Sequence, residues 1–168
     1  MRKIWLIGAV ILIPFSGFTE TNDTLKISAD LELIKISENA YVHVSYWELP
    51  NFGRFPLNGL VFINEDKAFL FDTPWTDSLT RELISWISDT MKVEIIGFVP
   101  NHWHADCMGG LGYLQSIGIE SYANQMTIEI ARNKNLPVPV HGFSDSLQLN
   151  LGDKSIHCFY LGAAHSLD

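Results

Sequence analysis

Asn101-His102-Trp103-His104-Ala105-Asp106-Cys107-Met108-Gly109-Gly110 follows the apolar run 93–98 (VEIIGF) and the pair Val99-Pro100. A short apolar run closed by a proline reads as a buried strand, so this polar stretch is the loop that leaves the strand's end. In an extended or tightly turned loop, residues at i, i+2 and i+4 can project to one side, which lets His102, His104 and Asp106 converge. Two imidazoles and a carboxylate drawn together suit a metal ion, and neutral imidazole is a preferred nitrogen ligand of Zn²⁺. A hydrolytic zinc site also needs a coordination position left for water. His165, in Gly162-Ala163-Ala164-His165 after another predicted strand, sits where a loop would return to the same rim and complete a three-histidine set. The plainer alternative is a pair of exposed loop histidines with Asp106 starting the next helix. The alternation at a strand end, beside Gly109 and Gly110, weighs against it. For His43 and His157, inside predicted strands, and His141, in a Pro-flanked loop (PVPVHGF), structural or surface roles are expected.

Upstream of this loop, residues 25–71 are β-rich: LKIS, LELIKI, AYVHVSYW, GLVFIN and AFLFD are predicted strands separated by Asp, Asn, Glu and Gly. Tyr41, His43, Ser45 and Trp47 alternate with Val42, Val44 and Tyr46, so both faces carry bulky residues and the sheet is expected to be covered on both sides. Between Trp47 and Gly59 the sequence ELPNFGRFPLN reads as a loop that displays Phe52 and Phe55. Asp77 is a predicted cap for a helix over 78–90, with Leu79, Leu83, Ile84 and Ile87 on one face. Downstream, a short helix is predicted near Met108, a strand at 121–123, a helix capped by Asn124 and running to Asn133, and strands at 147–151 and 156–161. Strand and helix alternation indicates α/β layering.

With 168 residues, 47% of them hydrophobic, the chain can fill a core and fits one domain or part of a larger one. Eleven Lys and Arg against 19 Asp and Glu give a net charge of −8, which offers no footing for nucleic acid or an anionic membrane. Cys107 and Cys158 are too few for a disulfide scaffold. At the start, Arg2 and Lys3 precede an apolar run from Ile4 to Phe15 and then small and polar residues, the pattern of a secretory signal peptide over 1–19. A helix of that run would reach only about 18 Å, short of the ~30 Å hydrocarbon core, so no membrane anchor is expected. Export of residues 24–168 to the periplasm follows.

NHWHADCMGGLGYL at 101–114, SYANQMTIEIA, LPVPVHGFSDSL, YLGAAHSLD and the earlier FDTP at 71–74 together resemble the subclass B1 metallo-β-lactamases through most of the chain after the leader. Other hydrolases of that superfamily carry HxHxDH, whereas here Cys107 follows Asp106, which favours the lactamase branch. The resemblance implies an α/β fold, the four-layer αββα sandwich, of which this chain matches the N-terminal half. It implies zinc-dependent hydrolysis of the β-lactam amide bond in penicillins, cephalosporins and carbapenems, and hence antibiotic resistance. A thioester-type hydrolase of the same fold is the alternative, and so is a zinc-binding fragment without activity. Carried over by residue, His102, His104 and His165 would bind the first zinc. Asp106 would be a ligand of the second and the catalytic group that orients the nucleophile. Phe52 and Phe55 would cover the substrate from a mobile flap, and Asp72 would support the metal loop. In the family the remaining ligands of the second zinc come from segments after the third histidine. Two zinc ions are therefore expected in the complete enzyme, a monomer acting on a small-molecule β-lactam, and at most one well-formed site in these 168 residues. Cys158 is expected to be a buried structural thiol.

Overall fold

Alternation along the strand Lys67–Phe71 explains the layers: Ala68 and Leu70 point into one apolar cluster, Phe69 and Phe71 into another. The computed structural model describes residues 23–168, so the signal-peptide reading of 1–19 lies outside the described residues. Strands β1 (Thr24–Lys26), β2 (Leu31–Lys35), β3 (Ala40–Leu49), β4 (Gly53–Asn64) and β5 (Lys67–Phe71) form an antiparallel meander. Strands β6 (Glu94–Val99), β7 (Glu120–Asn124) and β8 (His141–Phe143) then add in parallel, extending the sheet to eight strands in sequence order. The crossovers carry helix α1 (Asp77–Trp86) with a π-helical turn at Ile87–Met91, the short helices α2 (Ala105–Met108) and α3 (Leu111–Ser116), and helix α4 (Gln125–Asn133). Right-handed crossovers that all step in one direction place their helices on the same face.

That face holds the larger core, where Leu83, Ile87, Leu111, Leu114 and Ala131 of the helices meet Leu33, Val61, Leu70 and Phe98 of the strands. Each fully buried side chain of this size contributes up to about 1.5–3 kcal/mol. The other face is covered by an antiparallel hairpin of β9 (Ser146–Leu151) and β10 (Lys154–Phe159), whose Leu149 and Leu151 pack on Phe69 and Val99. The expected two-sided sheet and α/β layering are present.

Three local expectations are corrected. The loop expected between Trp47 and Gly59 is mostly strand: β3 and β4 pair from Ala40↔Phe62 to Leu49↔Gly53, leaving a tight turn at the tip. Pro56 sits in β4 below the first β4–β5 pair, Leu60↔Phe71, so among the described residues this part of β4 has no strand on its outer side, where a proline is tolerated. Helix α1 is capped by Thr76, whose side chain accepts the Leu79 N–H at 3.3 Å, and not by Asp77. Asp77 instead accepts the Tyr113 N–H at 2.9 Å, which ties α1 to α3. His141, expected in a loop, opens β8 and pairs with Glu120 at 2.7 Å on the surface.

Candidate metal centre

β5 and β6 run parallel, so their carboxyl ends open on one rim, the place where open α/β sheets bind ligands. The Asp72 N–H donates to the Val99 carbonyl at 3.1 Å, so the two strand ends leave the sheet together. The segment after β5 then cradles the loop after β6. Asp72 Oδ1 accepts the Asn101 N–H at 2.6 Å, the Thr73 N–H donates to the Cys107 carbonyl at 2.9 Å, and Thr73 Oγ1 accepts the Gly110 N–H at 2.9 Å. A Cβ on residue 109 would overlap the Trp75 carbonyl oxygen, so only glycine lets the loop and this segment approach so closely. Trp103 anchors the loop by packing on the larger core, with Lys134 Nζ 4.2 Å from its ring centroid.

On this scaffold three imidazoles meet. His102 Nε2 lies 2.8 Å from His104 Nδ1, which lies 3.1 Å from His165 Nε2. His165 comes from the segment after β10, 61 residues beyond His104. One ring nitrogen offers a single proton or a single lone pair, so His104 Nδ1 cannot be satisfied by hydrogen bonds toward two such neighbours at once. Three lone pairs aimed at one point suit a cation, and tetrahedral zinc at about 2.0–2.1 Å would set its nitrogens roughly 3.3 Å apart, close to the spacing here. Asp106 stands at the edge of the cluster, Oδ1 3.7 Å from His102 Nε2, and His102, Asp106 and Cys107 form an overlapping group able to hold an ion.

The buried Sγ of Cys107 lies 3.2 Å from His102 Nδ1. The Asp72 carboxylate lies close to the same thiol. A sulfur that accepts the His102 Nδ1–H leaves the Nε2 lone pair facing the cluster, as a metal ligand requires. Burial, and then the nearby Asp72 carboxylate, push the Cys107 thiol well above its ordinary range and keep it protonated. Burial likewise lowers the proton affinity of His102, keeping its ring neutral as a ligand must be. The one signal in the sequence for this role was the position of Cys107 directly after Asp106.

Phe52 and Phe55 stand on the β3–β4 ribbon. Phe52 is 82% exposed at its turn, and Phe55 pairs across from Trp47 and is 46% exposed. Trp47 stacks on Trp75, ring centroids 6.2 Å apart, a contact that joins the ribbon to the segment cradling the metal loop and that sequence reasoning did not find. A groove of about 560 Å³ opens beside the rim, bounded by Asp72, Asn101, Cys158 and Tyr160. Cys158, expected to be buried, is only half-buried on that groove.

No protein-family model matches the chain. Among curated proteins it is 47% identical to the metallo-beta-lactamase type 2 of Bacteroides fragilis over 168 residues, all of this chain and 66% of that protein. It is 32% identical to the metallo-beta-lactamase type 2 of Pseudomonas aeruginosa over 139 residues, 83% of this chain and 56% of that protein. Among solved structures, a metallo-beta-lactamase from Pontibacter korlensis superposes with a TM-score of 0.77 at 29% identity, covering 82% of this chain and 64% of that one. The chain thus spans less than two thirds of the length of each of these relatives, from 56% to 66%. An identity of 47% over all 168 residues, joined to a shared fold, means that this chain belongs to the metallo-β-lactamase family.

Proposed function

We propose that the whole protein opens the amide bond of β-lactams, carbapenems among them, in the periplasm after export directed by residues 1–19, and that it works as a monomer. The observation that carries this reading is the meeting of His102 Nε2, His104 Nδ1 and His165 Nε2 within 3.1 Å of one neighbour or another. These three rings would hold the first zinc, and Asp106 would contribute to the second. A bound zinc ion would supply Lewis acidity, polarising a carbonyl oxygen and lowering the pKa of water to about 7. The chain's own residues do the rest. Asp106 accepts a hydrogen bond from the attacking water and aims it at the lactam carbonyl. Cys107 and Asp72 keep the His102 ring in one tautomer and one orientation. Phe52 and Phe55 close over the apolar substituent of the substrate, each worth on the order of 1 kcal/mol.

The test is hydrolysis of nitrocefin and imipenem against a thioester substrate by the whole protein. Turnover of the lactams is expected to vanish on chelation and return with zinc. Activity that survives both EDTA and His102→Ala refutes the reading, and preferential thioester turnover moves the protein to another branch of the fold. For the 168-residue chain, metal analysis should find one zinc per molecule, lost in His165→Ala; two tightly held ions would contradict this.

A further inference from the structure

His43 stands in the middle of β3, and the residue directly across from it on β4 is Gly59. With no side chain there, the imidazole leans over β4 and reaches the end of β5. A Cβ on residue 59 would overlap His43 Nε2 and crowd the Phe71 carbonyl. Nε2 lies 3.1 Å from the carbonyl oxygen of Asp72. A carbonyl only accepts, so Nε2 carries the proton and donates. The residue is 1% exposed, and among the described residues Nδ1 has no partner. An imidazolium would bury an unpaired N–H, which costs more than a bare lone pair, so the ring is held as the neutral Nε2–H tautomer.

The carbonyl it holds belongs to a residue in an uncommon backbone state. Asp72 has φ of 56°, in the left-handed region that Asp tolerates at some cost. That turn sends the Asp72 carboxylate back toward β6, where it accepts the Asn101 N–H and faces the Cys107 thiol. Asn101 immediately precedes His102, and the Cys107 sulfur faces His102 Nδ1. Two hydrogen bonds joined through Asp72 therefore lead from the middle of β3 to Asn101, the residue before the first imidazole of the rim.

We propose that His43 is a positioning residue for the metal loop: its buried Nε2–H fixes the Asp72 carbonyl, and through the Asp72 carboxylate it fixes Asn101 and His102. Gly59 is the gap that makes this reach possible. The effect of His43 on zinc affinity rests on the reading of the rim as a zinc site, whereas its effect on the Asn101 amide does not.

The experiment compares His43→Leu, which removes the donor, with His43→Gln, whose amide N–H can occupy the place of Nε2. In the metal-free full chain, the Asn101 amide proton is expected far downfield because of its short bond to a carboxylate. His43→Leu should move it upfield, speed its exchange and weaken zinc binding roughly tenfold to a hundredfold in competition with a chromophoric chelator. His43→Gln should keep both properties near those of the wild type. An unmoved Asn101 resonance in His43→Leu overturns the proposal, and so does equal loss in both variants, which would mark the ring as filler. Should His43→Leu fail to fold, nitrogen-15 spectra of the wild type decide: an Nδ1–H tautomer or an imidazolium at neutral pH overturns it. A wild-type chain that binds no zinc sinks the reading of the rim and leaves the Asn101 comparison standing.

Discussion

Burial changes His43 and Asp72 in opposite senses, and the two touch. Burial lowers His43 from 6.5 to about 4, although the Asp72 and Phe71 carbonyls pull it back in part. Between those values the unfolded chain binds a proton that the folded chain refuses. The stability His43 confers is therefore complete above pH 6.5 and is lost as pH falls toward 4. Burial raises Asp72 from 3.8 to about 6, against the Asn101 N–H and the Cys107 thiol. Its favourable share is present below pH 3.8 and is lost as pH rises through 6, so the two residues tilt stability in opposite directions across the same window. His43→Gln removes one tilt and keeps the other. On acidification from pH 7 to pH 4.5, urea midpoints should show the wild type losing on the order of 2–3 kcal/mol more than the variant. Equal losses would mean that His43 does not titrate below its ordinary value. The alternation of the 40–47 segment was enough to read His43 as an inward, structural histidine. Its reach to Asp72 was not legible, because that depends on the β3–β4 register that sets Gly59 opposite it.

Elements were legible where one hydrophobic period ran long enough, as in α1 and the apolar strand before the metal loop, and misread where turn residues lay inside a strand. Gly53 and Pro56 are ordinary loop signals. They are tolerated here because the β3–β4 ribbon projects past the start of β5, so its outer edge has no ladder to complete. A two-stranded ribbon is marginal by itself and needs an anchor. Trp47 on Trp75 is that anchor, and an aromatic pair is worth about 0.5–1.5 kcal/mol beyond its buried area. Trp75→Ala should therefore speed amide exchange in residues 47–55 about fivefold while leaving 60–64, held between β3 and β5, at wild-type rates. Uniform acceleration along β4 would show that the ribbon and the sheet open as one unit, with no separate hinge at the indoles. Phe52→Ala, at an exposed turn, should stay within about 0.5 kcal/mol of wild-type stability yet raise KM in the lactam hydrolysis proposed above. An unchanged KM would remove Phe52 from the substrate's surroundings.

On the scale of the whole molecule, the rim is closed by a side chain that arrives from the opposite layer. Which residue types belong together could be read from the spacing of His102, His104 and Asp106 and from the turn at His165. What brings the far histidine home could not, because it is a docking of layers with no periodic signature. The β9–β10 hairpin is pinned to the sheet by Asn64, whose Nδ2 donates to the Leu151 carbonyl at 2.8 Å and to Asp153 Oδ1 at 2.9 Å. Beyond β10, the Tyr160 N–H donates to the Asp145 carbonyl at 2.8 Å, and the Tyr160 hydroxyl donates to the Leu167 carbonyl at 2.9 Å. These bonds bracket His165 and hold it against the rim. Asn64→Ala leaves a buried carbonyl without its donor, a cost of about 1–3 kcal/mol that falls on hairpin docking first. Amides of β9 and β10 should then exchange at least about fivefold faster, while β5 and β6 keep their protection. An ion that grips His102, His104 and His165 ties hairpin and sheet together, so zinc in excess of its dissociation constant should reverse the loss by mass action. Adding His165→Ala to Asn64→Ala should abolish that rescue, because the remaining ligands all lie on one layer. If zinc protects the hairpin equally with His165 gone, the ion does not bridge the layers, and the three-imidazole site is wrong in its third member.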